Sequence, residues 1–367
     1  MTMTTIMPEL PSYILEKESV WDILRRTELP VFIYGMGDGA EKILAQFDTH
    51  GIPVAGFFAS DEFVRGHSFK GHLVHTLSQI EALIDDFIIV LGFGAGYRSL
   101  YDRINEISLK HTLFAPDVPV IGKNIFDTDF VRSHLDEINE AYASLADDIS
   151  RQMFANILNF KISGKISYLR DLDSTPAEDY ALLNIDEDTV YADLGAFTGD
   201  TVEEFCSYTE GRYKRIIAVE PSPKNFRRMV KNIAEKNILN VEAVNAAASD
   251  KDGTVSISNK RGRMPTTCSS CEDNTVSVPS VWVDTLLSGA DAQNVLVKFD
   301  VEGAEADAIA GAENAIRGGA KLIVSVYHRS EDIFDLLLRI KKLSPDRKFY
   351  LRKRMYIPAW DVNLIVV

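Results

Sequence analysis

Four carboxylates fall where apolar runs of this chain stop. Asp193 follows Val190-Tyr191-Ala192, Glu220 ends RIIAVE, and Asp300 and Glu302 close NVLVKFDVE. Such runs read as buried strands, so each acid stands at a strand tip, the edge of an open α/β sheet where ligands bind. A carboxylate placed there accepts hydrogen bonds from hydroxyl or ammonium groups and repels phosphate. After Asp193 the chain steps through Gly195 and Gly199, then turns amphipathic with Asp200 in the first turn of a helix. Glycines at a strand-to-helix turn let a ligand approach the backbone and offer it the helix N-terminus. Turns of this kind serve both dinucleotides and S-adenosyl-L-methionine. An acid just before the turn disfavours pyrophosphate and suits a cationic sulfonium amino acid. Glu220 adds an acceptor for both ribose hydroxyls, which excludes a 2′-phosphate. The ligand these acids select is S-adenosyl-L-methionine.

Candidates for proton transfer sit beside them. Lys298, Asp300 and Glu302 alternate along one apolar run and so share a sheet face, with Val297, Phe299 and Val301 on the other. Charges on a central strand are costly unless paired or used. Two readings follow: Asp300 and Glu302 face the methyl donor and acceptor, or Lys298 and Asp300 form a structural ion pair. His328, in VYHRSED, ends the next strand at the same edge. Its imidazole titrates near neutrality and is the candidate general base for an acceptor hydroxyl, oriented by Asp332. A cap on the following helix is the structural alternative. No metal site is expected. Cys268 and Cys271 form a lone CSSC, which supplies fewer ligands than tetrahedral zinc takes.

The elements that must position these residues alternate throughout. PVFIYGMGDGAEKILAQF and DFIIVLGFGAGYRSLYDRI each read strand, glycine turn, helix, with IPVAGFFASD as a strand between them. That rhythm predicts a parallel sheet with crossover helices. The pattern divides the chain into an N-terminal extension (1–29), a Rossmann-like unit (30–122), a helical acidic connector (123–164) and a second α/β unit (165–367). In the second unit, VEAVNAAAS is read as a third strand, and KFYLRKR and DVNLIVV as a closing antiparallel pair. Ser222 and Pro223 are placed as N-cap and first residue of a helix.

Composition narrows the partners. A net charge of −15 argues against nucleic acid and anionic membranes, which want an excess of Lys and Arg. No apolar run approaches the ~20 residues of a membrane span. Neither a signal peptide nor a disulfide framework is expected from MTMTTIMPELPSYILEKE and three cysteines, which points to a reducing cytoplasm. Nothing in the sequence sets an oligomeric state.

The second unit with its helical lead-in resembles the FkbM family of S-adenosylmethionine-dependent methyltransferases. The motifs are ADLGAFTGDT (192–201), AVEPSPKNF (218–226), NAAASD (245–250) and KFDVEGAEADAIAGA (298–312). LADDISRQMFANILNFKISG (145–164) and VYHRSED (326–332) fit one branch of that family. The resemblance implies an α/β fold, the class I methyltransferase sheet, mostly parallel with an antiparallel C-terminal hairpin, here preceded by a smaller Rossmann-like domain. It implies methyl transfer, usually to oxygen of a sugar, polyketide or similar small metabolite. It assigns Asp193, Gly195, Ala196, Gly199 and Asp200 to the cofactor loop, Glu220 to the ribose, and Asn245, Ala246 and Ala247 to the adenine side. An ordinary buried alanine run is the alternative for the last group. Where the family branch closes with an Arg-His pair and a Glu-Thr strand, this chain has LRKRMY and DVNLIVV.

The first unit carries Gly35, Gly37 and Ala40 in a G-x-G-x-x-G/A pattern, with Asp61 near the ribose-recognition position. Through IYGMGDGAEKIL, VAGFFASD and GHSFKGHLV it resembles the nucleotide-binding half of sugar acyltransferases acting on nucleotide sugars. Asp38 inside its loop is unfavourable to pyrophosphate. Three function classes follow. The leading one is an O-methyltransferase for a small hydroxylated acceptor such as a sugar or nucleotide sugar. The others are a non-catalytic S-adenosylmethionine or nucleotide-sugar binder, and a nicotinamide oxidoreductase using the first glycine loop. On this division of labour, a chain beginning near residue 125 should still bind the donor, provided its connecting helices stay folded.

Overall fold

The computed structural model describes residues 9–60, 66, 68–258 and 275–367; Asp61, Cys268 and Cys271 lie outside them. Two mostly parallel sheets carry the fold. The first contains β1 (Val31–Tyr34), β2 (Gly56–Phe58), β3 (Ser68–Phe69), β4 (His72–His75), β5 (Ile88–Leu91) and β6 (Thr112–Phe114). Its order is β3-β4-β2-β1-β5-β6, and only β3 and β4 pair antiparallel. VFIY and IIVL are buried along their whole length, as strands covered on both faces must be.

The second half contains β7 (Val190–Leu194), β8 (Arg215–Val219), β9 (Val241–Val244), β10 (Ala247–Ser249), β11 (Gly253–Ser258), β12 (Thr275–Trp282), β13 (Val295–Phe299), β14 (Lys321–Ser325), β15 (Phe349–Lys353) and β16 (Val362–Val366). Seven of these form the second sheet in the order β15-β16-β14-β13-β7-β8-β9. β16 runs antiparallel to both β14 and β15, and the other pairings are parallel. This is the mostly parallel sheet with a closing antiparallel pair that the apolar runs predict. β7 is followed by β8 on one side and flanked by β13 on the other, so the topological switch point lies between β7 and β13. A crevice opens there at the carboxyl edge.

One strand departs from expectation. VEAVNAAAS is two strands, because Asn245 turns the chain: its amide donates to the Glu220 and Pro221 carbonyls at 2.7 and 3.2 Å. β10 then leaves the main sheet and pairs with β12, which pairs with β11.

The 123–164 stretch is more than a connector. Helix Asp148–Ser163 is N-capped by Asp147 and buries every residue from Ile157 to Ser163. Ser150 Oγ near its start accepts the Leu351 N–H of β15 at 2.9 Å. At its other end, the Gly164 carbonyl accepts the Ala115 N–H just past β6 at 2.7 Å. Lys161 and Asp117 form a buried ion pair at 2.7 Å. One continuous core therefore joins Tyr34 and Leu91 of the first sheet, Phe154, Leu158 and Phe160 of this helix, and Phe299 and Leu351 of the second sheet. Each such side chain contributes ~1.5–3 kcal/mol by leaving water, so neither sheet is independent of the other.

A second contact joins the halves. The chain between β15 and β16 reaches the carboxyl edge of the first sheet, where Ala95 and Ile357 exchange backbone hydrogen bonds of 2.7 and 3.2 Å. A Cβ on Gly94 or Gly96 would stand 2.6 Å from Tyr356 of that chain. The connection between the two closing strands is thus an interdomain brace.

Candidate active site

β7 delivers the chain to Gly195, whose φ of +91° is open to glycine and strained for other residues. The stronger constraint is packing: a Cβ there would lie 1.9 Å from the Asp300 carbonyl oxygen. The first glycine of this turn therefore admits the protein's own β13 exit rather than a ligand. Phe197 and Gly199 are also left-handed, and helix Asp200–Thr209 starts at once. Glu220 fastens this turn to the next one. Its carboxylate accepts the Phe197 N–H at 3.0 Å and the Ser222 N–H at 2.8 Å. Burial pushes its carboxyl up to about 7, against the lowering effect of these bonds.

A cleft of about 750 Å³, counted out to its open mouth, lies over these turns. Gly195, Asp200, Glu220, Ala246 and Ala247 line it, as do Asp300 and Glu302. Helix Pro223–Glu235 begins beside it, with Ser222 capping the Asn225 N–H. Four of the expected cofactor residues stand elsewhere. Asp193 is fully buried beneath the turn, accepts the Thr201 hydroxyl, and lies 4.0 Å from Lys298 Nζ. Burial raises its carboxyl to about 6. Ala196 is buried and its carbonyl receives the Gly199 N–H at 2.7 Å, so both shape the turn from behind. Asn245 supports Glu220 through the backbone. The wall also holds Lys298, read from the sequence only as an ion-pair partner, and residues the sequence did not single out: Phe197, Thr201 and, from the outlying sheet, Ile257. Thr201 and Phe197 lay inside the glycine motif and were legible there. Nothing local to Ile257 signals the site.

At the far end, the alternation argument for Lys298, Asp300 and Glu302 does not hold. β13 ends at Phe299, and Glu302 and Gly303 both take left-handed φ values, +54° and +91°. A tight loop rather than a strand face brings Asp300 and Glu302 to the cleft. Asp300 is both an ion-pair partner and a cleft residue. It pairs with Lys298 at 2.9 Å and also lines the cleft. Burial pushes its carboxyl up, but the charges of Lys298 and His328 outweigh this and hold it below the usual range.

His328 lies past the end of β14 and is 1% exposed. Its Nε2 is 3.6 Å from both Asp300 Oδ1 and Glu302 Oε2, and its Nδ1 is 3.0 Å from Glu305 Oε1. Burial favours the neutral ring. The Glu305 carboxylate, then Asp300 and Glu302, outweigh that and raise His328 to about 9. Both ring nitrogens face carboxylates, Nε2 toward Asp300 and Glu302 and Nδ1 toward Glu305, and His328 stands behind the cleft wall rather than in it. Asp332 does not orient the ring. It accepts the Arg329 N–H at 2.8 Å, and Glu305, from the helix after β13, takes the orienting place. Glu302 is raised to about 7 by burial, against the opposing charge of His328, and faces the cleft. A carboxylate in that position can accept a proton from a group bound in the cleft.

The first glycine turn differs. A Cβ on Gly35 would meet the Phe93 ring at 2.6 Å, and one on Gly39 the Gly92 carbonyl at 2.5 Å. Phe93 also packs edge-on against Tyr34. Gly37 and Asp38 open helix Asp38–His50, with Ala40 buried in its first turn. The chain's own atoms press on this turn at Gly35 and Gly39, while a Cβ on Gly37 would meet nothing within 4 Å.

The chain is similar to known proteins in sequence and in fold. Residues 193–350 match the family model of the methyltransferase FkbM domain. This region is an FkbM methyltransferase domain. The FkbM domain holds Asp193, Glu220, Asp300, Glu302 and His328, and the match ends just before LRKRMY, where the resemblance also breaks off. Over almost its whole length the chain is similar in fold to the crystal structure of a methyltransferase FkbM from Methylobacillus flagellatus KT. That likeness has 19% identity, covers 98% of this chain and 95% of that one, and has a TM-score of 0.71. An rRNA methylase from Streptococcus thermophilus matches at 12% identity over 52% of this chain and 91% of that one, with a TM-score of 0.33. No curated protein matches the chain. Among the described residues, no helix is long and apolar enough to cross a membrane.

Proposed function

We propose that the FkbM domain binds S-adenosyl-L-methionine and transfers its methyl group to a hydroxyl oxygen of a small acceptor such as a sugar or nucleotide sugar. The observation that carries this reading is one cleft with Glu220 at one end and Asp300 and Glu302 at the other. Glu220 suits the ribose hydroxyls, and the three alanines 246–248 leave room for a flat ring. Residues 165–367 would do the chemistry, with 30–122 as scaffold, in the cytoplasm that three cysteines suggest.

Methyl transfer from a sulfonium is an in-line displacement. The acceptor oxygen attacks the methyl carbon, the carbon–sulfur bond breaks, and its electron pair stays on sulfur as a neutral thioether. Most of the protein's contribution is alignment. The hydroxyl must also lose its proton, which passes to Glu302; such help is worth ~10²–10⁴-fold. His328, held between Glu305 and the two cleft acids, fixes their placement.

Labelled donor incubated with hydroxylated sugars and nucleotide sugars tests the transfer. Calorimetry with Glu220→Ala tests the site, and donor affinity should fall by about 1.5–3 kcal/mol, the scale of charge-assisted hydrogen bonds. Unchanged affinity in a folded variant removes Glu220 from the site. Donor binding without transfer to any acceptor favours the non-catalytic reading.

A further inference from the structure

His328 poses a question that proton transfer leaves open. It is 1% exposed, yet its Nε2 has no hydrogen-bond partner and is aimed between Asp300 Oδ1 and Glu302 Oε2, 3.6 Å from each. Asp300 Oδ1 is likewise buried without a partner, while its other oxygen is held by Lys298. We propose that Asp300, Glu302 and His328 bind a divalent cation that accepts mixed oxygen and nitrogen ligands, of the manganese class.

The spacing fits. One ligand atom from each of the three residues falls within 4.8 Å of the others. Ligands about 2.1 Å from a shared ion stand roughly 3.0–3.5 Å apart at octahedral to tetrahedral angles. Closing from 3.6 Å asks for only small side-chain movements. The surroundings fit as well. A metal-bound histidine commonly sets its other ring nitrogen against a carboxylate, which fixes the ring. Here Glu305 stands 3.0 Å from Nδ1 and is itself anchored by the Val301 N–H at 2.9 Å. Two carboxylates and one imidazole suit manganese-like ions better than thiophilic ones. Asp300 and Glu302 are 28% and 18% exposed on the cleft side, which leaves coordination positions open to a substrate oxygen.

The ion's role rests on the methyl-transfer reading; its binding does not. The acceptor alcohol would join the ion as a ligand, and its proton would pass to the Glu302 oxygen that the ion leaves free. The resulting alkoxide attacks the methyl carbon, and the carbon–sulfur bond breaks with its electron pair remaining on sulfur.

The test uses the full chain, stripped with chelator and titrated with Mn²⁺ under electron paramagnetic resonance. Binding should saturate at one ion per chain and show nitrogen coupling from one imidazole. His328→Ala should weaken it at least tenfold and abolish the coupling, in a variant whose circular dichroism shows it folded. Glu305→Gln should weaken it about 10–100-fold while the coupling persists. Mn²⁺ that binds the native chain no more tightly than His328→Ala, or without nitrogen coupling, overturns the site. Methyl transfer that survives chelation undiminished overturns the ion's role. Intact Mn²⁺ binding in a protein that transfers no methyl group upholds the site and counts only against the methyl-transfer reading.

Discussion

The chain contains two glycine turns that look alike on paper, and the structure uses them in opposite ways. After β1, the turn carrying Gly35 and Gly39 is pressed by Phe93 and by the Gly92 carbonyl, and the edge beyond it is covered by Tyr356. After β7, Gly195 is pressed just as closely, by the Asp300 carbonyl, but the cleft opens directly over it. In both, close packing explains the glycine. Only the second leaves space, and only the second has acids converging on that space from the ends of β8 and β13. A glycine pattern thus reports a tight approach of backbone and says nothing about what approaches.

The comparison implies that the first half serves as support, and removing it should have the largest effect. Because one core runs from Tyr34 through Phe154 to Leu351, a chain beginning at residue 125 should fail to fold and should lose donor binding altogether. Circular dichroism melts of the truncated chain would show this. A cooperative, donor-binding fragment would restore the independence that the alternating pattern suggests.

Next in size is Gly195→Ala, which places a Cβ 1.9 Å from the Asp300 oxygen at a φ of +91°. Denaturant unfolding should show a loss of about 4 kcal/mol or more, in the range reserved for severe steric conflict. A stable variant would mean that the turn can relax and that its packing is not the constraint.

The acids of the second turn should be visible as a pH effect. The Glu220 carboxyl rises from 4.5 to about 7 on folding, mainly through burial. Its stability contribution is therefore complete below about pH 4.5 and is lost as pH rises through about 7. The loss amounts to at most about 3 kcal/mol. The Tm of the ligand-free protein should fall between pH 5 and 8, and Glu220→Gln should flatten that slope. Equal slopes in both proteins would show that Glu220 stays solvated.

The smallest change is expected at Gly37→Ala in the first turn. Nothing lies within 4 Å of the added Cβ, and φ there is −104°. Stability should change by about 1 kcal/mol or less, the cost of losing a glycine N-cap. A large loss would reveal something seated on that turn.

Much of this architecture is written locally. A strand buried on both faces is a continuous apolar run, so VFIY, IIVL and RIIAV announce themselves, and Ser222-Pro223 marks a helix start by capping chemistry. The helix Asp148–Ser163 was harder to place. Its acidic neighbours suggest solvent, whereas its burial depends on two sheets that no short window contains. The break at Asn245 was hidden because its cause is a hydrogen bond to Glu220 and Pro221 on another strand.

The sequence by itself determined that acids stand at or just past the ends of β7, β8 and β13, where the apolar runs give out. It could not say which acid faces the cleft. Asp193 and Lys298 are register partners across β7 and β13, yet Asp193 is sealed beneath the turn while Lys298 reaches the wall. Nor could it say what His328 does. That was decided by Glu305, brought up from the next helix, and by a left-handed residue at Glu302 that turns the loop. The charge state and ligand capacity of a buried group follow from distances to neighbours in a medium of low polarity. Those distances arise only when separate segments are folded against each other.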